Sequence, residues 1–223
     1  MASRLLARTP RTTLKRQAQR GSYDREQVHA ILDEALVCDL AFSLDGQPYA
    51  IPTVHGRIGD TLYLHGSSAN RALRALRDGA RACVTATLVD GLVLGRSAFH
   101  QSINFRCVIL YGPAREVEDP REKRDALRAI VEHAIPGRWA DTREPNAQEM
   151  LRTLVLAIPI EEASAKVRTG PPVDEEEDYA LPCWAGVIPL RTQAGPPVAD
   201  PRLAPENAVP EYARAYRRPG SRS

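Results

Sequence analysis

Along this 223-residue chain the spacing of apolar positions changes period repeatedly, and each change marks an element. Val28, Ile31, Leu32, Ala35 and Leu36 recur at i, i+3, i+4, i+7 and i+8, the stripe of an amphipathic helix. Asp24 stands at its N-cap, with Gln27 three residues on as a capping-box partner. The period then falls to two over "VCDLAFSL", "QPYAIPTVHGRI" and "TLYLHG", which Asp45-Gly46 and Gly59-Asp60 separate. Asp-Gly between apolar runs is a hairpin signal. Pro48 and Pro52 place the second of these strands at a sheet edge or a bulge. Helical spacing returns in "SANRALRALRD", closed by Gly79. "RACVTATLV", a further Asp-Gly turn at 90–91, "SAFHQSINFRCVIL" and "YGPAREVED" follow as strands. Asp119-Pro120-Arg121-Glu122 opens a helix that runs to about Ile135 and stops at Pro136-Gly137. Asn146 and Glu149 mark a short third helix start. "TLVLAIPI" reads as a buried strand, and "CWAGVIPL" as the last core-like segment.

Residues 97–110 carry the most pointed pattern. Read with period two, one face holds Phe99, Ile103, Phe105, Cys107 and Ile109, and the other holds His100, Ser102, Asn104 and Arg106. The apolar face is expected in a core. The polar face is then a row of hydrogen-bonding groups suited to a ligand or a second subunit. Short antiparallel strands with inserted and flanking helices predict an α+β fold, mainly β: a small antiparallel β-barrel. The expected organisation is a basic flexible arm over 1–21, one domain over 22–190, and a Pro-rich tail over 191–223, extended or disordered. Six prolines fall in that tail, and Tyr212 and Tyr216 are its candidate anchors.

Charge sharpens this division. Residues 1–25 hold seven Lys/Arg against one acid, residues 26–190 hold 17 against 24, and residues 191–223 hold six against three. A mildly acidic centre argues against a nucleic-acid surface on the folded part. No apolar run is long enough for a membrane helix, and the basic N-terminus lacks the apolar region of a secretory signal. Cys38, Cys83, Cys107 and Cys183 form no C-x-x-C pair and read as reduced thiols, which points to the cytoplasm.

Candidate chemistry gathers in "LYLHGSSANRALRAL". A strand ends at His65, Gly66 permits a turn, and Ser67, Ser68, Asn70 and Arg71 precede or open a helix, the pattern of a phosphate cradle. The plainer reading makes Ser68 an N-cap and leaves Arg71 and Arg74 solvated. His29 and His133 read as helix-surface residues and His55 as a strand-face residue. His65 and His100 stand beside other polar groups and are the speculative catalytic candidates. No H-x-x-x-H or H-E-x-x-H spacing occurs, so no metal site is expected. Neither a Walker loop nor G-x-S-x-G is present.

Four stretches together resemble a known family: "YDREQVHAILDEALVCDLAFSLDGQPYAIPTVHGR", "TLYLHGSSANRALRAL", "DGLVLGRSAFHQSINFRCVILYGPAREVED" and "SAKVRTGPPVDEEEDYALPCWAGVIPL". The chain resembles the FMN-binding split-barrel superfamily, the relatives of pyridoxamine 5′-phosphate oxidase. Within it, the likeness is to the flavin-nucleotide-binding and nitroimidazole-resistance branch. The resemblance covers residues 22–190. It implies a homodimer with FMN at the interface. Ile51, Pro52, Thr53 and Val54 would run along the flavin ring through backbone groups, and His65 and Gly66 would border it. Arg71 would hold the phosphate, with Ser67, Ser68 and Asn70 nearby. His100, Ser102, Asn104 and Arg106 would face cofactor or partner, and Lys166, Arg168 and Trp184 would reach the partner's flavin. The basic and aromatic residues that pyridoxamine 5′-phosphate oxidase uses for its own substrate are not recognisable. The implied activity is an FMN-dependent oxidoreductase moving electrons between a small-molecule donor and acceptor, a nitroaromatic among the candidates. The alternatives are a flavin carrier without turnover, or a barrel holding deazaflavin F420 or haem on an axial histidine.

Overall fold

The computed structural model describes residues 4–218. Its strands are β1 (Gly21–Ser22), β2 (Cys38–Leu44), β3 (Gln47–Thr53), β4 (Gly56–Ile58), β5 (Thr61–Ser67), β6 (Ala82–Leu94), β7 (Ser102–Gly112), β8 (Arg115–Glu116), β9 (Thr153–Pro159), β10 (Glu162–Arg168) and β11 (Gly186–Pro189). The α-helices are α1 (Arg25–Glu34), α2 (Arg71–Arg77), α3 (Pro120–Ala134), α4 (Ala147–Arg152) and α5 (Glu211–Arg214). One antiparallel sheet runs β1-β10-β7-β6-β2-β3, with β11 also paired to β6; a second runs β4-β5-β9-β8. This is the small α+β barrel that the alternation of short strands predicts, split into two sheets as the resemblance implies.

Local signals hold where they rest on caps. Asp24 accepts from the Glu26 N–H, although Gln27 plays no part. Asp119 caps α3 with Pro120 in its first turn, and Asn146 and Glu149 form a reciprocal capping box on α4. Asp45 and Gly46 take positive φ in the β2–β3 turn. Asp90-Gly91, expected as a hairpin, instead sits inside one long strand. The β6–β7 register shifts there as a bulge, because Asp90 turns to Arg106 of β7 while Gly91 lies against the backbone of β11. "CWAGVIPL" is not core: β11 is a partly exposed strand laid on β6. β10, which the apolar pattern does not announce, lies in the middle of the large sheet because Ala163 and Ala165 fit the crowded interior.

The barrel interior can be read across the register. Leu40, Val84, Leu110 and Ala163 form one cross-strand row, and Ala86, Val108 and Ala165 form the next. All seven are buried. This reverses the expectation for residues 97–110. Even positions of β7 face the interior at Val108 and Leu110, so Phe105, Cys107 and Ile109 stand half-exposed on the outside. A one-residue change of parity moves every side chain to the opposite face. Asn104 and Arg106 therefore do not sit on an open polar face. Arg106 donates to Asp90 at 2.9 and 2.7 Å and to both oxygens of Glu34 on α1. The carboxylates hold its guanidinium well above its usual pKa. Asn104 is 8% exposed, donates to Gly170 O and accepts from Arg168, itself 8% exposed.

Both ends of the chain are packed against the domain. In the arm, Leu6 and Thr12 are buried, and Thr9 and Arg11 donate to Glu162 of β10. In the tail, residues 191–203 are exposed, but Tyr212 bonds to Arg138 and Asp141, Tyr216 donates to Ala134 O, and Arg218 donates to carbonyls of α1 and α3. A flexible arm and an extended tail were expected because neither segment has a periodic apolar face, with Tyr212 and Tyr216 as the tail's candidate anchors; the tail docks by polar contacts, and the arm by polar contacts together with Leu6 in the core.

Helix α3 lies on the outer face of the small sheet and meets β4 at Gly56. A Cβ there would stand 2.7 Å from Ile130 N. Gly56→Ala should cost about 1–3 kcal/mol as an overpacking change, read as a lower denaturant midpoint. Arg106→Ala leaves Glu34 and Asp90 without their cation. The expected loss is about 2–3 kcal/mol, less than the roughly 3–5 kcal/mol of a fully buried pair, since the Arg106 side chain is 29% exposed. Denaturant unfolding measures it. A stable Arg106→Ala protein with weakened flavin binding would show the residue to be a ligand contact instead.

Candidate functional site

Two regions bring candidate residues together. The first is the free edge of the large sheet. β3 pairs with β2 on one side only, so its other edge presents unpaired backbone groups, with Ile51 37% exposed and Pro52 exposed beside it. Beyond it, β5 ends in Gly66, Ser67 and Ser68. Gly66 lies on the strand rather than in a turn, and a Cβ there would press on Cδ1 of Leu73 of α2 at 2.9 Å. Asn70, not Ser68, is the N-cap of α2, its Oδ1 accepting from the Ala72 and Leu73 N–H groups. Ser67 and Ser68 are left exposed beside Arg71. The Arg71 guanidinium lies 4.6 Å above the ring of Tyr49 on β3 and makes no ion pair among the described residues. The ring orients a cation without neutralising it. Backbone donors and acceptors, two hydroxyls and an uncompensated guanidinium thus share one exposed ledge.

The second region is a cavity of about 400 Å³ between α3 and the small sheet. Strands β5 and β9 alternate between two buried environments. Leu62, Leu64, Leu154, Leu156 and Ile158 point into the barrel. Tyr63, Val155 and Ala157 point to α3, where they pack on Val117, Ala126, Leu127 and Ile130. His65 has the parity of Tyr63 and pairs with Val155, so it belongs to the α3 side. Val54, at the end of β3, reaches the same space. The remaining wall includes Leu127, Ile130, Val131, Ala134 and Trp139. His65 Nδ1 is buried there without a hydrogen-bond partner among the described residues. Burial pushes the imidazole pKa down, so the ring is neutral near pH 7. A neutral imidazole with an unshared nitrogen in a mainly apolar cavity, with Glu149 and Thr153 also at its wall, is chemically able to ligate a metal-bearing planar group or to hydrogen-bond a polar one.

Other expected site residues lie elsewhere. His100 stands in a turn before β7, not on the strand, and pairs with Ser97 Oγ at 2.8 Å. It faces Asp174, which holds Arg96. Ser102 is exposed at the start of β7, and Lys166 lies on β10 across from Cys107. Asn104, Arg106 and Arg168 are engaged internally as described above. Trp184 is 67% exposed against Gly186. It adjoins β11, where Ile188, Leu92 of β6 and Ile103 of β7 form an exposed apolar row across three strands.

Sequence reasoning missed the residues that make the cavity. Leu127, Val131 and Ala134 read as an ordinary helix stripe, and only the position of α3 over His65 turns that stripe into a wall. It also missed Tyr49 as the platform for Arg71; an aromatic next to Pro48 on an edge strand was the available signal. His55 and His133, expected at surfaces, are packed ring to ring at 4.4 Å with His55 fully buried. His55 is pushed down to about 4, by burial first.

Comparison with known proteins places this arrangement. The family model described as pyridoxamine 5′-phosphate oxidase matches residues 24–167. No curated protein matches. Among solved structures, the flavocytochrome Anf3 from Azotobacter vinelandii is 45% identical, with 92% of this chain and 95% of that chain covered and a TM-score of 0.87. The FAD and heme binding protein from Mycobacterium smegmatis is 39% identical, over 87% of this chain and 96% of that one, with a TM-score of 0.84. A Bacteroides thetaiotaomicron protein assigned to 5-nitroimidazole antibiotic resistance is 26% identical, over 66% and 86%, with a TM-score of 0.56. Fold, register and family match agree: the chain belongs to the pyridoxamine 5′-phosphate oxidase-like family of flavin-binding split barrels.

Proposed function

We propose that this protein is a flavin-dependent oxidoreductase that binds FMN, or the FMN half of FAD, on the β3 ledge. The observation that carries this reading is Arg71, held above Tyr49 with no carboxylate partner, next to the exposed hydroxyls of Ser67 and Ser68. The free edge of β3 supplies main-chain donors and acceptors for the ring. Arg71 binds the phosphate by charge and by its planar fork, and the two serines fill the remaining oxygen lone pairs. Once bound, a flavin takes two electrons from a reduced nicotinamide and passes them to an acceptor. No side chain at the ledge is placed as a general acid or base.

A second group fits the His65 cavity. The observation is the unpartnered Nδ1 in an apolar pocket of about 400 Å³, and two similar proteins are described as a flavocytochrome and as binding FAD and haem. In this reading His65 would hold the iron of a haem, which would supply one-electron redox chemistry. Burial keeps the imidazole neutral and its lone pair available, and Val131, Ala134 and Trp139 exclude water. The protein is further read as a homodimer. The row Ile188, Leu92 and Ile103, each between 40% and 45% exposed, with Val89 beside it, needs an apolar cover. A second copy presenting the same row supplies one by two-fold symmetry.

Three outcomes are expected. Arg71→Ala should weaken FMN binding by about 10- to 150-fold, the loss of one charge-assisted contact, with riboflavin nearly indifferent. Flavin fluorescence titration measures both; equal losses would place the damage in the ring site or the fold. Protein purified with haem should show a Soret band that His65→Ala removes while the flavin band persists. A Soret band unchanged in His65→Ala would place the haem, or its ligand, elsewhere. Light scattering should give twice the chain mass, and Leu92→Glu should give the monomer. Anaerobic bleaching of the flavin by a nicotinamide separates an oxidoreductase from a carrier.

A further inference from the structure

The C-terminal ends of α1 and α3 converge, and four elements meet there. Helix ends leave carbonyls without intrahelical partners. Here they are taken up from outside the helices. His55 Nε2 bonds to Leu32 O at 2.9 Å, and His133 Nε2 to Ala35 O at 2.8 Å. Arg218 donates to Asp33 O, to Glu34 O and to His133 O. Tyr216 donates to Ala134 O at 2.8 Å. One turn further on, Tyr212 lies against Gly137, which takes a φ of +86°, and bonds to Arg138 and Asp141. The opposite side of this same segment, Ala134, Ile135 and Trp139, is wall of the His65 cavity. Residues that clamp the helix ends therefore also set the cavity wall.

We propose that residues 210–218 are a proton-released strap: with neutral histidines it clamps α1 to α3, and protonation of the His55–His133 pair releases it and loosens the cavity wall. The charges around the pair support this direction. His133 is faced by Arg218 of the tail, Arg57 of β4, the His55 ring and Asp33 of α1. His55 is faced by His133, Arg218 and Asp33. Among the described residues Asp33 is the carboxylate that acts on both histidines, and Arg57 already holds it bidentately at 2.8 and 2.5 Å. Glu132 on α3 is turned to the Gly137 and Trp139 N–H groups, and Glu34 is held by Arg106. An imidazolium at either site would be buried against cations with no free carboxylate. Burial and Arg218 both lower the two histidines' affinity for protons, while their carbonyl bonds oppose this. Coupling is reciprocal: if a docked Arg218 disfavours the protons, the protons disfavour docking. A histidine whose pKa is depressed in the docked state gives stability that falls as pH drops below its ordinary value of about 6.5.

The proposal does not depend on flavin or haem, because the chain reports on itself. Trp139 is in the strapped segment, and Trp184→Phe leaves it as the one tryptophan. In that full-length variant, Trp139 emission should shift reversibly to the red between about pH 6.5 and 4, from the ordinary histidine value down to the depressed value of His55, with unchanged far-UV circular dichroism. Arg218→Ala should show the shifted emission already at neutral pH. His133→Gln, whose amide still donates to Ala35 O but takes no proton, should lose the response and keep the clamped emission. If His133→Gln is poorly folded, His55→Gln carries the same expectation, and a chain ending at residue 209 should show the released emission at every pH. No shift in the full-length variant, a shift accompanied by loss of secondary structure, or an unaltered response in the chain ending at 209 would each overturn the strap.

Discussion

Everything at the cavity depends on one constraint: strands β5 and β9 have no solvent face. Leu62, Leu64, Leu154, Leu156 and Ile158 fill the barrel, while Tyr63, Val155 and Ala157 must be covered from the other side. A strand buried on both faces leaves its outward residues no water, so α3 has to lie across them. That helix can come close enough because β4 carries glycine at 56. The same alternation puts His65 on the covered side, one step beyond Tyr63. There the helix no longer fills the gap, and an imidazole nitrogen is left buried and unpartnered. The candidate ligand and its cavity are thus consequences of how the small sheet is covered.

The large sheet obeys the opposite logic. Its inner rows are built from Val, Leu and Ala, which close-pack in a narrow barrel. Its outer face carries an apolar row at Ile188, Leu92 and Ile103. Polar groups that might have faced a ligand are spent on tying the barrel together instead. Arg106 joins β7 to the bulge at Asp90 and to α1 at Glu34, and Asn104 with Arg168 fastens the turn at Gly170. Arg71, by contrast, makes no ion pair among the described residues and stands beside a sheet edge. The difference between a structural arginine and a candidate ligand arginine here is the presence or absence of carboxylates within reach, not the residue type.

Apart from Leu6, which is buried in the core, the two chain ends contribute through polar contacts on an apolar body. Thr9 and Arg11 converge on Glu162, and Tyr212, Tyr216 and Arg218 converge on carbonyls and charged side chains at the ends of helices. Such contacts carry no periodicity, which is why the arm and tail read as detached. They also respond to charge far more readily than buried leucines do, which suits the tail to conditional docking over the α1–α3 junction.

By itself the sequence determined the elements and the family. Asp24, Asp119 and Asn146 cap where their short acceptors must, Asp45-Gly46 turns where positive φ is needed, and the run of residues 153–160 is too apolar to be anything but buried. The segment around Arg71 was legible as a candidate site because its residue types and spacing are local properties, whereas Ile51–Val54 of β3 entered only through the family resemblance. Parity, bulges and coverage were not legible. Whether the odd or the even side of residues 102–112 faces the core depends on which strand lies alongside, and whether Asp90-Gly91 turns or bulges depends on Arg106 in the next strand. Likewise the cavity at His65, the buried histidine pair and the clamp from the tail exist only once α1, α3 and the C-terminus meet. Those were decided by the tertiary structure, because burial and charge pairing join residues far apart in the chain, and local spacing contains no record of who the partner is.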